Sequence, residues 1–102
     1  LHELGHYLFF INPTYKRKAK KILSEMNPKD RIIIANYLVR EGYPYEEIDE
    51  ETQAILCTNN GPYLYKDDGI RITKGIEEAH KKVNCLFKKY LPKKLKQRLK
   101  LS

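Results

Sequence analysis

The feature that most constrains how this chain of 102 residues can fold is the segment His2-Glu3-Leu4-Gly5-His6. Its two histidines are four positions apart, and residues at that spacing project from one face of an α-helix. Leu4, Leu8 and Ile11 recur at helical spacing, which favours a partly buried helix over a loop. Gly5 costs a helix about 1 kcal/mol relative to alanine. We therefore expect Gly5 to allow another backbone to approach this helix closely.

The same H-E-x-x-H pattern brings three functional groups to one point. Two neutral imidazoles one helical turn apart can bind a single Zn²⁺, each at about 2.0–2.1 Å. Glu3 lies beside such a metal rather than on it, where its carboxylate can accept a proton from zinc-bound water. The motif predicts His2 and His6 as metal ligands, Glu3 as general base, and metal-assisted hydrolysis, usually of a peptide bond. The alternative is a helix start that carries two surface histidines.

The segment 2–6 resembles the zincin metallopeptidases, whose active-site helix carries HExxH. The metzincin subgroup would place a glycine and a histidine at the positions held here by Phe9 and Asn12, so the resemblance is to the gluzincins. Gluzincins take a third ligand, a glutamate, from a later helix. The resemblance also implies a β-sheet before the active-site helix, with an edge strand that holds the substrate; that half would lie outside this sequence.

The later helix that resembles the gluzincin glutamate helix is residues 48–56, with an E-x-x-A core at Glu51 and Ala54. The i, i+3, i+4 and i+7 positions of an apolar stripe are held by Ile48, Glu51, Thr52 and Ile55. A carboxylate in such a stripe needs a strong partner, which a zinc ion would supply. We expect Glu51 to be the third ligand, with Glu50 as the runner-up and Asp49 as a more distant candidate. The alternative is an exposed acidic patch.

Two tyrosines and one further histidine are secondary candidates. Tyr63 and Tyr65 follow the glutamate helix closely, and some gluzincins use a tyrosine to stabilise the oxyanion of the tetrahedral intermediate. The resemblance implies them as catalytic candidates, with ordinary packing as the alternative. His80 lies on the apolar stripe of a later helix, where we expect a satisfied core residue rather than a ligand.

The remaining sequence predicts a mainly α fold of four or five helices with at most a short β-hairpin. Helix starts and stops are marked by Asn12-Pro13, Asn27-Pro28, Gly42, Thr73 and Pro92. Alternating residues around an Asp-Gly pair at 63–72 predict the hairpin. We expect the HExxH helix to pack against the Glu51 helix, because both must face one ion.

The length fits one small domain, which we divide into a zincin-like helical part at 1–91 and a basic C-terminal tail at 92–102. The net charge of +7 leaves an alternative function, a binding module for nucleic acid or anionic surfaces with an incidental HExxH. No known motif for reading nucleic acid is visible, and no aromatic residues are interleaved through the basic tail. Specific nucleic-acid binding is therefore not expected, and the expected partner is a protein or peptide substrate.

Hydropathy and cysteine content indicate what kind of protein this chain belongs to. No apolar run of about 18 residues is present, so no transmembrane helix is expected. Cys57 and Cys85 are too few and too widely spaced for a disulfide framework. We expect both to be small buried thiols of a protein in a reducing compartment.

Overall fold

The structure is a computed structural model that describes residues 2–58 and 72–98. These residues form a mainly α fold, as the sequence predicts, with no β-strand among them. The helices are α1 (His2–Ile11), α2 (Pro13–Ser24), α3 (Pro28–Arg40), α4 (Ile48–Leu56), α5 (Lys74–Tyr90) and α6 (Lys93–Arg98), with a 3-10 turn at Tyr45–Glu47. The hairpin predicted at 63–72 lies, except for its last residue, outside the described residues.

Local sequence signals account for most of the helix boundaries. Three helices begin at side-chain caps whose oxygens each accept a backbone N–H of the first turn, namely Asn12, Asn27 and Thr73. A proline with its fixed φ occupies the first position of α2 and of α3. Gly42 adopts a φ of 92° just after α3, a conformation that glycine reaches without the steric cost of a Cβ.

Helix α4 lies at the centre of the fold and packs against α1, α2, α3 and α5. The sequence predicts a single apolar stripe on this helix, and its members Thr52 and Ile55 are indeed buried. Gln53, Ala54 and Leu56 are buried as well, because helices cover α4 on several sides. Every side chain of the second half of α4 therefore needs an apolar contact or a polar partner from a neighbouring helix.

Helices α1 and α4 approach each other closely at Gly5, as expected from the missing side chain. A methyl group added at Gly5 would lie 2.6 Å from Cys57 Sγ, which is closer than van der Waals contact allows, and 3.2 Å from Ala54 Cα, which is a tight contact. A side chain also joins the two helices, because Gln53 Nε2 donates to the Gly5 carbonyl at 3.0 Å. The Tyr15 hydroxyl of α2 donates to Gln53 Oε1 at 2.8 Å, and burial raises the pKa of Tyr15, so it keeps that proton.

Helix α5 forms hydrogen bonds with the residues that follow the C-terminal end of α4. Asn84 Nδ2 donates to the Cys57 carbonyl at 2.7 Å, and His80 Nε2 lies 2.7 Å from the Thr58 carbonyl. Both carbonyls follow the last residue of α4, where backbone acceptors lack helical partners. His80 is thus hydrogen-bonded to the backbone, as the sequence analysis expects for a core histidine.

Helix α3 meets the start of α5 through the buried carboxylate of Asp30. The Thr73 hydroxyl donates to Asp30 Oδ1 at 2.6 Å while it also caps the N–H of Ile76. The same carboxylate lies directly against Gly75, where a Cβ would overlap it. A negative charge at this end of α5 also interacts favourably with the helix dipole.

The two cysteines differ, which corrects one sequence-based expectation. Cys57 is buried between α1 and α4, and burial raises the pKa of its thiol to about 12. Cys85 is exposed rather than buried, because it lies on the face of α5 that turns away from the core. Within the basic segment 92–102, Lys93–Arg98 forms the short helix α6, and its Leu95 packs against the core. None of the helices in the described part of the chain is long and apolar enough to cross a bilayer.

We expect Gly5→Ala to lower the free energy of unfolding by about 1–3 kcal/mol, because the new methyl group overlaps Cys57 and lies tightly against Ala54. Helix propensity alone would raise stability by about 1 kcal/mol, so the sign of the change separates the two effects. Urea unfolding followed by circular dichroism measures it. Adding Cys57→Ala should recover part of the loss, since it removes the closer of the two contacts. A Gly5→Ala protein more stable than wild type would show that the helices are not in close contact.

Candidate metal centre

The two histidines of the HELGH segment lie side by side on α1. Their Nε2 atoms are 3.2 Å apart, and the rings meet edge to face with centroids separated by 4.9 Å. Both side chains are partly exposed, at 24% for His2 and 21% for His6. One helical turn therefore presents two imidazole nitrogens at a single point that remains accessible from solvent.

Glu51 of α4 brings a carboxylate to the same point. Its Oε1 lies 3.1 Å from His6 Nε2, and its Oε2 lies 3.5 Å from His2 Nε2. Each of the three residues offers one donor atom within 4.8 Å of the others. Ligands at zinc distances in a tetrahedron are separated by roughly 3.3 Å, so these separations suit a single ion. The structure thus brings together the three residues that the sequence analysis proposes as ligands.

The carboxylate of Glu51 is buried, and part of it lacks a hydrogen bond. Oε2 is shielded from solvent and accepts no hydrogen bond from any described residue, since the 3.5 Å contact with His2 lacks hydrogen-bond geometry. A buried carboxylate oxygen without a partner is costly, and a cation at the donor set would remove that cost. The residues present therefore fit a bound metal ion.

The ionisation of His2 is compatible with this assignment. Burial lowers the pKa of His2, and the neighbouring His6 lowers it further, while Glu51 and Glu3 oppose the shift. A lowered pKa favours the neutral imidazole at neutral pH, and only the neutral ring has a lone pair for a metal.

The other acids of α4 have different partners. Glu50 Oε2 lies 2.9 Å from His6 Nδ1, the ring nitrogen that faces away from Glu51. Asp49 is ion-paired with Arg31 of α3 at 3.1 Å. Neither residue is brought to the three donor atoms, so of the acids weighed from the sequence only Glu51 occupies the ligand position.

Glu3 lies in the first turn of α1 and is exposed. At about 100° per residue, its side chain leaves the helix beside the two histidines rather than between them. Its negative charge opposes the lowering of the His2 pKa.

Tyr43 is not singled out in the sequence analysis, yet its pKa responds to the acids of the site. Its pKa is raised, first by the negative charge of Glu51 and then by burial and by further acids that include Glu3. The Tyr43 hydroxyl therefore lies within electrostatic range of the Glu51 carboxylate. No spacing pattern could have indicated this, because Tyr43 lies in the turn after Gly42 and outside the helices. Tyr63 and Tyr65, the predicted oxyanion candidates, lie outside the described residues.

No protein-family model, curated protein or solved structure matches this chain. The resemblance to the zincins therefore rests on the chain's own residues, and the metal assignment rests on their geometry.

We expect Zn²⁺ to stabilise the fold, because the donor atoms come from two helices and meet only in the folded chain. At a free concentration one hundred times the dissociation constant, the free energy of unfolding should rise by about 2.7 kcal/mol. The rise should disappear in His2→Ala, His6→Ala and Glu51→Gln. Urea unfolding with Zn²⁺ and with a chelator measures the increment for each variant.

His80→Gln provides the matched control, since His80 is the remaining histidine of the chain and is bonded to the Thr58 carbonyl. Its absolute stability should fall while its zinc increment stays at the wild-type value. A wild-type protein without a zinc increment, or an undiminished increment in His6→Ala, would contradict the assignment.

Proposed function

We propose that this chain forms the zinc-binding helical part of a metallopeptidase, with His2, His6 and Glu51 as ligands and Glu3 as general base. The observation that carries the proposal is the buried Glu51 carboxylate, whose Oε2 lacks a hydrogen bond among the described residues while the carboxylate faces two imidazole nitrogens. An incidental pair of surface histidines would not require a buried carboxylate opposite them.

The donor set supports a catalytic site over a structural one. Structural zinc sites are closed by four protein ligands, usually with cysteine among them, whereas catalytic sites use three and leave one position open. Here two histidines and one glutamate converge, and Cys57, the nearby thiol, is buried against Gly5 with its Sγ donating to the Ala54 carbonyl. The partial exposure of His2 and His6 leaves a side from which water and substrate can enter.

The roles of the individual residues follow from their positions. A bound zinc ion supplies Lewis acidity, which lowers the pKa of water and polarises a carbonyl group. Glu3, exposed at the edge of the site, accepts a proton from the attacking water and delivers it to the departing amine nitrogen. Glu51 lies against the two histidines, where its carboxylate would hold the ion and offset part of its positive charge. Tyr63 and Tyr65 stay candidates for oxyanion stabilisation through the gluzincin resemblance.

We expect Glu3→Gln to lower the rate of peptide hydrolysis by about 10²–10⁴-fold, because the amide keeps the shape of the side chain but cannot accept the proton. Zinc affinity should be unchanged, since Glu3 is not a ligand. His6→Ala should lose both zinc and hydrolysis. The measurement combines zinc titration with cleavage of a mixture of unstructured peptides, and it uses the protein as encoded, with any residues that precede Leu1.

Glu25→Gln is the control for loss of a carboxylate, because Glu25 is exposed at the end of α2 and away from the donor atoms. It should hydrolyse peptides at the wild-type rate. Wild-type hydrolysis by Glu3→Gln would remove Glu3 from the mechanism. A wild-type protein that binds no zinc would overturn the proposal and favour the basic binding module instead.

A further inference from the structure

The hydrogen bond between His6 and Glu50 links a proposed metal ligand to a second acid on α4. His6 Nδ1 and Glu50 Oε2 are 2.9 Å apart, a good distance for a charge-assisted hydrogen bond. The opposite ring nitrogen, Nε2, lies 3.2 Å from His2 Nε2 and 3.1 Å from Glu51 Oε1. The two nitrogens of one imidazole therefore have separate partners on α4.

The chemistry of these partners determines where the imidazole proton lies. An ionised carboxylate only accepts hydrogen bonds, so the hydrogen bond with Glu50 requires hydrogen on Nδ1. Glu51 Oε1 lies 3.1 Å from Nε2 but without hydrogen-bond geometry, so that contact does not require hydrogen on Nε2. In the neutral ring, hydrogen on Nδ1 leaves the lone pair on Nε2, which is the atom that faces His2 and Glu51. Without Glu50, the ring could also carry its hydrogen on Nε2, where it would block the donor set.

Two consecutive residues of α4 act on different sides of this ring because of helix geometry. Glu50 and Glu51 leave the helix about 100° apart. The close approach of α1 and α4 at Gly5 puts the ring of His6 opposite this pair. The buried Glu51 reaches Nε2, while Glu50, with 41% of its side chain exposed, reaches Nδ1.

We propose that Glu50 is a positioning residue that holds His6 in the Nδ1–H tautomer and fixes the direction of its Nε2 lone pair. The identity of the metal in this inference rests on the proposed function, whereas the hydrogen bond between His6 and Glu50 does not depend on it. A carboxylate on the far nitrogen orients the ring and increases the basicity of the ligating nitrogen, and loss of such a partner typically weakens metal affinity 10–100-fold.

Asp49 offers a matched control for the charge of Glu50. It is the preceding residue, its side chain is 42% exposed, and it is paired with Arg31 rather than with a histidine. Asp49→Ala removes one negative charge near the site and leaves the His6 contact intact. Glu50→Gln is the conservative variant, because its amide oxygen still accepts a hydrogen bond from Nδ1.

The tautomer is measured first, in the metal-free protein at about pH 8, above the usual titration range of histidine. Correlation spectra of the imidazole ¹⁵N nuclei distinguish Nδ1–H from Nε2–H rings. We expect the Nδ1–H form for His6 in wild type, Glu50→Gln and Asp49→Ala, and a mixture of both forms in Glu50→Ala. Urea unfolding of each variant confirms that the fold is retained.

Zinc affinity is measured second, by competition with a chelator and with Zn²⁺ as the only added ligand. We expect Glu50→Ala to weaken zinc binding 10–100-fold, Glu50→Gln to weaken it less, and Asp49→Ala to leave it unchanged.

Two outcomes would overturn the inference. If Glu50→Ala and Asp49→Ala weakened zinc binding equally, the loss of one negative charge would explain the effect. If the His6 tautomer were unchanged in Glu50→Ala, Glu50 would not hold it. A wild-type chain that binds no zinc would overturn the proposed function, and the tautomer comparison would then still decide whether Glu50 holds His6.

Discussion

The close contact between α1 and α4 is the constraint on which the rest of this structure depends. Gly5 has no side chain, so its backbone lies against Ala54 and Cys57, and Gln53 donates a buried hydrogen bond to its carbonyl. A larger residue at position 5 would separate the helices and break that bond. Because the histidines lie on α1 and the acids on α4, the same separation would pull the donor atoms apart. The glycine of HELGH thus acts on the site through helix spacing rather than through chemistry.

Two buried polar side chains of α4 differ in whether all their polar atoms have hydrogen-bond partners. Gln53 is fully buried, and both ends of its amide have partners, Tyr15 on one side and the Gly5 carbonyl on the other. Glu51, two positions earlier, is also buried, yet one of its oxygens accepts no hydrogen bond from the described residues. The fold provides hydrogen-bond partners for both ends of the Gln53 amide, so we would expect partners for both oxygens of Glu51 if that carboxylate were only part of the core. This contrast supports the proposal that the Glu51 carboxylate binds a cation.

Several of the basic residues have contacts within the chain. Lys18 Nζ donates to the Tyr90 hydroxyl at 2.9 Å and lies 5.4 Å from the centre of the same ring. Lys89 lies 5.8 Å from the Tyr90 ring, and Lys16 lies 5.5 Å from the ring of Phe9. These cation–π contacts join the surfaces of α1, α2 and α5. Within the described residues, these lysines therefore have partners in the chain itself.

Local chemistry in the sequence determined the helix boundaries, the need for a small residue at position 5, and the three groups of the HExxH helix. Caps, prolines and i, i+4 spacing act within a few residues, so they can be interpreted without the tertiary fold. The apolar stripe of α4 already favours Glu51 over Glu50, but only packing brought Glu51 to the two histidines and left Cys85 exposed. Neighbouring residues on a helix differ by only about 100°, and the partner helix determines which of them faces the histidines. The sequence could rank Glu51 above Glu50 as a ligand, but only the approach of α1 to α4 put Glu51 beside His6 Nε2 and Glu50 beside His6 Nδ1.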